Sequence, residues 1–406
     1  MRVVIIGAGV AGCVMARRLS RLQGVEVTCL ERVTRDDHSE AGTGLNVGPN
    51  AVKALNLLDP ELTASITRAS YTWANWRISL TDGTVLFDLP LADVADNPGW
   101  RIRWSELYRV LREAAGPAVH YACEIAEIGR DRADPRKTSV TWTRDGKTHQ
   151  LDGIDLLIAA DGRYSSVRRI ISGEPSIRHT GVAIFRVLVP DTSNGLIDDY
   201  EQWFNGPHRL LAFRVPPGHV YIAGTFPIKP EAEVTASMKT VEALRKAYTP
   251  PASPPSAQAR WLIDTVCENA VDTHWARMQE HDVLYRARDC NVLYLGDAAH
   301  GMVPTLGQGA TQAIEDAANA AMLIVRAYDN GDRDVAGWLA GIETLRRDRM
   351  RFVMEFSLEA TDTMLEGADP VQGTRHKTEA PFQDRLKALY RDIGRPLSTN
   401  KQETHA

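Results

Sequence analysis

The sequence predicts an α/β fold: a Rossmann-like nucleotide-binding domain laid down in separate stretches of chain, an inserted mixed β-sheet domain, and C-terminal helices. Three observations predict it. The β-branched run Val3 to Ile6 leads directly into Gly7, Gly9 and Gly12, then a helix-compatible segment and a second β run, with Glu31 just past its end. Two further buried-strand runs, "DLLIAADG" (155–162) and "NVLYLGDAAH" (291–300), each end in a turn. Between these pieces, residues 71–90 and 177–228 alternate apolar and polar side chains in the manner of strands.

The opening needs a decision, because residues 3–16 are uncharged, mostly apolar and preceded by Arg2, which imitates a signal peptide. The glycine spacing decides for the nucleotide. Gly7 permits the tight turn, Gly9 lets a pyrophosphate approach the backbone, and Gly12 lets the helix pack on the strand. The helix N-terminus offers free N–H groups to phosphate, and Glu31, at about the expected ~20-residue spacing, can accept from a ribose diol.

The remaining elements follow in order. Residues 41–58 read as a Gly-rich loop entering an amphipathic helix, and Asp82-Gly83 as a turn between strands. Residues 105–115 have helical periodicity with Ser105 as N-cap. Residues 119–158 read as antiparallel strands with a hairpin at Asp145-Gly146. Turns are expected at Asn205-Gly206-Pro207 and Pro216-Pro217-Gly218, and a rigid loop over 249–255 after a polar helix. A long helix begins near Gly309, another covers about 335–365, and the tail from 371 is polar and peripheral. The nucleotide domain therefore comprises 1–70, 100–175 and 285–360, the sheet domain 71–99 and 176–284, and the C-terminal helical tail 361–406. The sheet insertions would form a second layer over the nucleotide.

Composition narrows the partners. A net charge of -5 over 406 residues argues against nucleic acid, and no apolar stretch of the ~18 residues a membrane span needs is present. The five cysteines show no paired spacing and no C-x-x-C, which predicts a reduced, cytoplasmic chain. A monomer or homodimer fits equally.

Three motifs together resemble the FAD-dependent group A aromatic hydroxylases: "GAGVAG…ER" at the start, "DLLIAADGRYSSVR" (155–168) and "LGDAAHGMVPTLGQGATQAIEDA" (295–317). "GTGLNVGPN" (42–50) and "YEQWFNG" (200–206) lean towards members acting on hydroxypyridines and related small rings. The resemblance implies that Gly7, Gly9, Ala11 and Gly12 cradle the FAD pyrophosphate, that Glu31 holds the adenosine ribose, and that Arg32 flanks the adenine end. It places Asp297 on the ribityl chain and Gly307, Gly309 and Ala310 at the flavin pyrimidine edge. Gly44, Arg103, Ile125, Asp161 and Pro304 complete the cofactor set, with Gly162 and Arg168 in a second nucleotide motif. Gly44, with its neighbours 42–43, and the segment 307–309 would flank the path of a mobile flavin ring. Trp104 stands where the family carries Arg ahead of the helix, with Arg103 one place off.

The resemblance further implies a bound FAD, NADH or NADPH visiting as transient co-substrate, O2, and hydroxylation of a small electron-rich aromatic or hydroxypyridine-type ring through a flavin C4a-hydroperoxide. A single dinucleotide fingerprint is consistent with a nicotinamide that visits and leaves. Substrate contacts fall on Asn46, Arg186, Phe213, Arg214 and Pro304; Arg186 and Arg214 suit a carboxylate, whereas Asn46 and Phe213 do not titrate. The catalytic base is not identified by spacing. Tyr221, Arg214 and His208 are the candidates put forward, with His179, His219 and Tyr200 on the same sheet. His300 reads as structural, since no Cys, His or carboxylate spacing completes a metal set around it. Other readings stay open: another FAD-dependent oxidoreductase or epoxidase on this fold, or a non-catalytic dinucleotide-fold binding protein. A methyltransferase would favour glycine at Ala11 and leaves 295–317 unexplained, and "WANW" (73–76) does not match a flavin halogenase.

Overall fold

The computed structural model describes residues 1–37 and 43–394; Gly42 of the Gly-rich segment and the end of the tail lie outside the described residues. The opening unit forms as its pattern requires: β1 (Arg2–Ile6), α1 (Val10–Leu19) and β2 (Glu26–Leu30), with β1 and β2 parallel and Ile6 opposite Leu30. Gly7 turns the chain at φ +96°, a left-handed conformation that favours glycine.

Residues 44–47 depart from the loop expectation. They form β3 (Gly44–Val47), whose apolar Leu45 and Val47 alternate along an antiparallel pairing with a later strand. Next come α2 (Pro49–Leu58) and α3 (Pro60–Arg68), the latter capped by the Asp59 carboxylate accepting from Leu62 N–H, with Pro60 at its first position. The strands β4 (Tyr71–Trp73), β5 (Asn75–Leu80), β6 (Val85–Pro90) and β7 (Gly99–Arg103) lead to α4 (Trp104–Ala115). Ser105 is not the cap of α4. β7 runs straight into the helix, so Arg103 holds the N-cap position without a side-chain bond and Ser105 lies in the first turn.

The stretch 119–158 is only partly antiparallel. β8 (Val119–His120) pairs parallel with β2, whereas β9 (Glu124–Arg130), β10 (Thr138–Arg144) and β11 (Lys147–Ile154) make an antiparallel sheet. Its hairpin turns at Asp145 (φ +51°) and Gly146 (φ +72°), the pair of positive φ values a two-residue turn matched to strand twist demands. β12 (Leu156–Ala159) then returns parallel to β1, followed by α5 (Ser166–Ser172).

The inserted strands are β13 (Ile177–Pro190), β14 (Tyr200–Asn205), β15 (His208–Val215) and β16 (His219–Pro227); α6 (Val241–Tyr248), α7 (Ala257–Glu268) and β17 (His274–His281) follow. β18 (Val292–Tyr294), the short α8 (Asp297–His300), α9 (Gln308–Asp329), α10 (Val335–Glu359), α11 (Pro370–Arg375) and α12 (Ala380–Arg391) complete the described chain. The tail is not peripheral: Phe382, Leu386, Leu389 and Tyr390 share one face of α12 and are buried in the core.

Four sheets result: the parallel β18-β12-β1-β2-β8, the mixed β17-β13-β16-β15-β14-β5-β6, and the three-stranded β3-β7-β4 and β11-β10-β9. The β3-β7-β4 sheet joins strands from both sides of the expected boundary at residue 70. One face of the seven-stranded sheet packs on α6 and α7 through Phe185, Leu210, Ala212 and Ile222. The other carries Tyr200, Phe213 and Tyr221, in one core with the C-terminal helices. No described helix is long and apolar enough to cross a membrane.

Candidate active site

A cavity of about 860 Å3 runs from the opening glycine turn to the seven-stranded sheet. At one end it is lined by Gly9, Val10 and Ala11, in the middle by Gly44, Asn46, Asp297, Pro304, Gly307, Gly309 and Ala310, and at the sheet end by Arg186, Tyr200, Arg209, Leu211 and Tyr221. Most of the expected cofactor and substrate positions therefore meet on one wall.

The glycines there differ in what requires them. A Cβ on Gly12 would stand 1.9 Å from the Gly7 carbonyl oxygen, and one on Gly7 2.4 Å from the Ala160 carbonyl oxygen. Those two are demanded by the close packing of α1 and the strand ends. A Cβ on Gly9 meets nothing nearer than the Tyr108 hydroxyl at 3.6 Å, and one on Gly309 nothing nearer than the Asp297 carboxylate at 3.9 Å. The protein's own packing does not require glycine at either; both keep a groove clear. Two long helices begin at this groove. α1 starts at Gly9 and α9 at Gly307 (φ +64°), each without a side-chain cap or an acid in its first turn. Their first N–H groups and positive dipole ends are available to an anion or an electron-rich ring edge. The buried Asn46 Nδ2, close to Gly307, has no hydrogen-bond partner. These features fit a dinucleotide with a pyrophosphate at one end and a ring at the other.

Several expected positions are placed elsewhere. Glu31 is buried beside the turn; one oxygen accepts from Ala8 N–H at 2.6 Å and the other from Val33 N–H at 3.2 Å. Arg32 is exposed next to it. Arg103 caps α4 off the cavity wall, where Trp104 and Tyr108, one turn apart, take the lining positions. Ile125 lies on β9 opposite Trp142, away from the wall. Asp161 is held by Ser166 and Val167, and burial raises its pKa. Arg168 is not at the surface: its guanidinium donates to the carbonyls of Asp282, Ala298 and Ala299, pinning α8. Gly44 does not clear a ring path; a Cβ there would lie 2.6 Å from Tyr221 Cβ, so the glycine serves the packing of β3 on β16.

Strand parity sorts the sheet residues. On β15, Arg209 and Leu211 face the cavity, and residues 208, 210, 212 and 214 face the opposite side. His208 consequently packs on Phe226 and Tyr248, with ring centroids 4.9 Å and 6.1 Å away, and cannot be the base of this cavity. Arg214 forms an ion pair with Asp191 at 2.8 Å instead of meeting a substrate. Phe213 has the right parity but is fully buried behind Tyr200 and Tyr221. His219 bonds the Pro217 carbonyl outside the cavity, whereas His179 lines it. Tyr221 lines the wall, but burial, against the pull of Arg186 and Arg209, pushes its phenol up to about 12; it holds its proton at neutral pH and is a donor, not a base.

Arg209 was not singled out by sequence. It is 2% exposed, its Nε has no partner, and it forms no ion pair among the described residues. Arg186 likewise has a buried Nε without a partner. The one carboxylate on the described cavity wall, Asp297, stands 3.6 Å from Arg163. Arg277 at the sheet end is paired with Glu233 at 3.0 Å, but Arg186 and Arg209 face no carboxylate among the described residues, a costly arrangement that an anionic ligand would relieve. The signal was present: in "HRLLAFRV", which carries His208, Arg209 and Arg214, Arg209 is the charged residue in phase with the apolar Leu211 and Phe213. His300 is fully buried, its Nε2 2.5 Å from Asp316, and no group of three or more metal-ligating side chains occurs among the described residues.

Residues 1–357 match the family described as an FAD binding domain. The chain is 30% identical over 371 residues to 3-amino-4-hydroxybenzoate 2-monooxygenase PtnB3 of Streptomyces platensis, covering 88% of this chain and 87% of that protein. It is 28% identical over 327 residues to 2-heptyl-3-hydroxy-4(1H)-quinolone synthase of Pseudomonas aeruginosa, covering 78% and 79% respectively. Its fold resembles that of Klebsiella pneumoniae HpxO complexed with FAD and uric acid, with a TM-score of 0.79, 23% identity and 97% of each chain covered.

Proposed function

The chain belongs to the FAD-binding family of flavoprotein aromatic hydroxylases, and on that premise we propose that it hydroxylates a small, electron-rich aromatic or hydroxypyridine-type ring bearing an anionic group, consuming NADH or NADPH and O2. The observation that carries this reading is the pair of cavity arginines, Arg209 and Arg186, without a facing carboxylate. When bound, FAD supplies electron transfer from the nicotinamide and the activation of O2. The chain's own part is positioning. The N–H groups of the Gly9 turn and of the first turn of α9 would hold the cofactor's two ends, with Glu31 at the ribose and Asp297 on the ribityl chain. Arg209 and Arg186 would orient the substrate anion, Tyr221 would donate to a ring oxygen, and Tyr200, Leu211 and Met278 would exclude water.

The test is a panel of hydroxybenzoates and hydroxypyridines scored for stimulated NAD(P)H oxidation and for a product one oxygen atom heavier. Arg209→Met is expected to weaken binding of the active acid at least tenfold, since a charge-assisted hydrogen bond contributes about 1.5–3 kcal/mol. The same change should not lower the melting temperature, because it removes an unpaired buried charge. An unaltered KM would take Arg209 out of substrate binding.

Glu31 has a second duty, holding the Ala8 N–H. Glu31→Ala is expected to weaken FAD about tenfold in a titration of apoprotein and also to destabilise the fold by roughly 1–3 kcal/mol, the cost of a buried N–H left without a partner. Glu31→Gln, which still accepts from Ala8, should recover most of the stability but not the full FAD affinity. Equal FAD affinity in all three proteins would remove Glu31 from the cofactor site.

A further inference from the structure

Three side chains of α4, Trp104, Tyr108 and Arg112, recur every fourth residue, which stacks them along one face of the helix. Trp104 and Tyr108 line the cavity. Their rings meet near edge to face, with centroids 4.8 Å apart. The Arg112 guanidinium lies over the Tyr108 ring at 4.7 Å, and its Nε donates to the Ala8 carbonyl at 3.3 Å. The phenol is thus clamped between an indole and a cation that is itself tied to the glycine turn.

The clamp delivers the Tyr108 hydroxyl to the groove at Gly9. The oxygen stands 3.6 Å from where a Cβ on Gly9 would be. Nothing among the described residues hydrogen-bonds it. Its polar neighbours are engaged elsewhere: Glu31 accepts from the Ala8 and Val33 N–H groups, and Arg163 is held by Asp297 at 3.6 Å and by the Met302 carbonyl at 3.1 Å. α1 offers its first N–H groups to the same groove, with neither a side-chain cap nor an acid in its first turn. Burial, opposed by Arg112, pushes the Tyr108 phenol up, so it keeps its proton at neutral pH and is a donor. A cation over the ring face draws electron density from the ring and strengthens the O–H as a donor.

We propose that Tyr108 is a further FAD-binding residue, whose hydroxyl joins the first N–H groups of α1 in donating to the cofactor pyrophosphate. The inference rests on the reading above that the pyrophosphate lies at the Gly9 turn. Two helices from different parts of the chain then close on one anionic group, α1 with backbone dipoles and α4 with a phenol. Trp104 and Arg112 fix the ring; the hydroxyl makes the contact.

The experiment compares wild type, Tyr108→Phe and Gly9→Val. FAD affinity is measured by flavin fluorescence in a titration of apoprotein, and the two phosphorus resonances of bound FAD are recorded by NMR on protein saturated with the cofactor. Tyr108→Phe should bind FAD about tenfold more weakly, the loss expected for one hydrogen bond to a charged group. Its bound phosphorus resonances should move while the visible flavin spectrum stays as in the wild type. The melting temperature of the Tyr108→Phe apoprotein should equal that of the wild type, since the hydroxyl has no partner in the chain to lose. An unchanged FAD affinity overturns the proposal. A weakened affinity with unmoved phosphorus resonances also overturns it, because the hydroxyl would then act on another part of the cofactor. Gly9→Val separates this failure from that of the underlying reading: if it loses FAD while Tyr108→Phe retains full affinity, only Tyr108 leaves the site, and if both retain FAD, the pyrophosphate does not lie at this turn.

Discussion

Gly9→Val is expected to give folded protein that has lost its yellow colour, whereas Gly12→Val should fail to fold stably. The two glycines are three residues apart in one motif, yet the structure separates their duties. At Gly9 the backbone is ordinary (φ -80°, ψ -162°) and a Cβ has 3.6 Å of clearance, so valine is accepted by the chain itself. Its cost to the fold is the exchange of a tolerable N-cap for a poor one, about 1 kcal/mol. Its branches would fill the groove into which the first N–H groups of α1 open, and FAD affinity should fall on the order of a hundredfold, a loss of ~2.7 kcal/mol. At Gly12 the Cβ would sit 1.9 Å from the Gly7 carbonyl oxygen, which cannot move without opening the turn. α1 would have to lift from β1, unpacking Val14, Met15 and Cys13, all at or below 1% exposure. Such overpacking costs about 1–3 kcal/mol at a single yielding contact and more against backbone. Flavin absorbance of the purified proteins and their thermal melts separate the cases. Stoichiometric flavin in Gly9→Val would remove the cradle assignment, and a wild-type melting temperature for Gly12→Val would remove the packing argument.

The contrast also indicates what the sequence could convey. Glycine spacing, β-branched runs and turn residues are local signals, and the opening unit, the Asp145-Gly146 hairpin and the parallel sheet were legible from them. β3 was not, because the many glycines around it read as a loop; four residues became a strand only through pairing with β7. A helical tail was expected, but the burial of α12 was missed for a related reason. Its apolar face is narrow and its surface polar, and the face gains meaning only against Trp76 and Phe356. Parity errors account for His208 and Arg214: alternation was recognised on β15, but which half of it faced the cavity depends on the layer of α6 and α7 laid down later in the chain. Arg209 was readable in principle, as the charged residue in phase with Leu211 and Phe213.

The second large effect is expected at Arg346. Arg346→Met should lower stability by about 3–5 kcal/mol in urea unfolding and should also loosen FAD. Arg346 and Arg349 of α10 reach into α9 with no exposure at all. Arg346 donates to Glu315 Oε1, to Asp316 at 2.7 Å and to Gln312 at 2.7 Å; Arg349 donates to both oxygens of Glu315, sharing Oε1 with Arg346, and to the Leu389 carbonyl. Asp316 in turn holds His300, the Tyr285 hydroxyl and Gly296 N–H, and Glu315 accepts from Asn50, which also donates to Gln308 in the first turn of α9. One cluster thus fixes the Gly296 turn and the first turn of α9, two segments that border the cofactor groove. Removing one cation leaves buried carboxylates short of charge, which is far costlier than removing both partners. Arg346→Met combined with Asp316→Asn should for that reason recover part of the loss. Acid provides an independent check. Although burial opposes it, the arginines and His300 bring Glu315 and Asp316 down to about 2. Their contribution is complete above the ordinary carboxylate range, about 4, and disappears as pH falls towards 2. Without Arg346 the two carboxyls protonate at higher pH, so the acid-unfolding midpoint should move upward. An unchanged urea midpoint and an unchanged acid midpoint would together show that Arg349 and His300 suffice to hold the cluster.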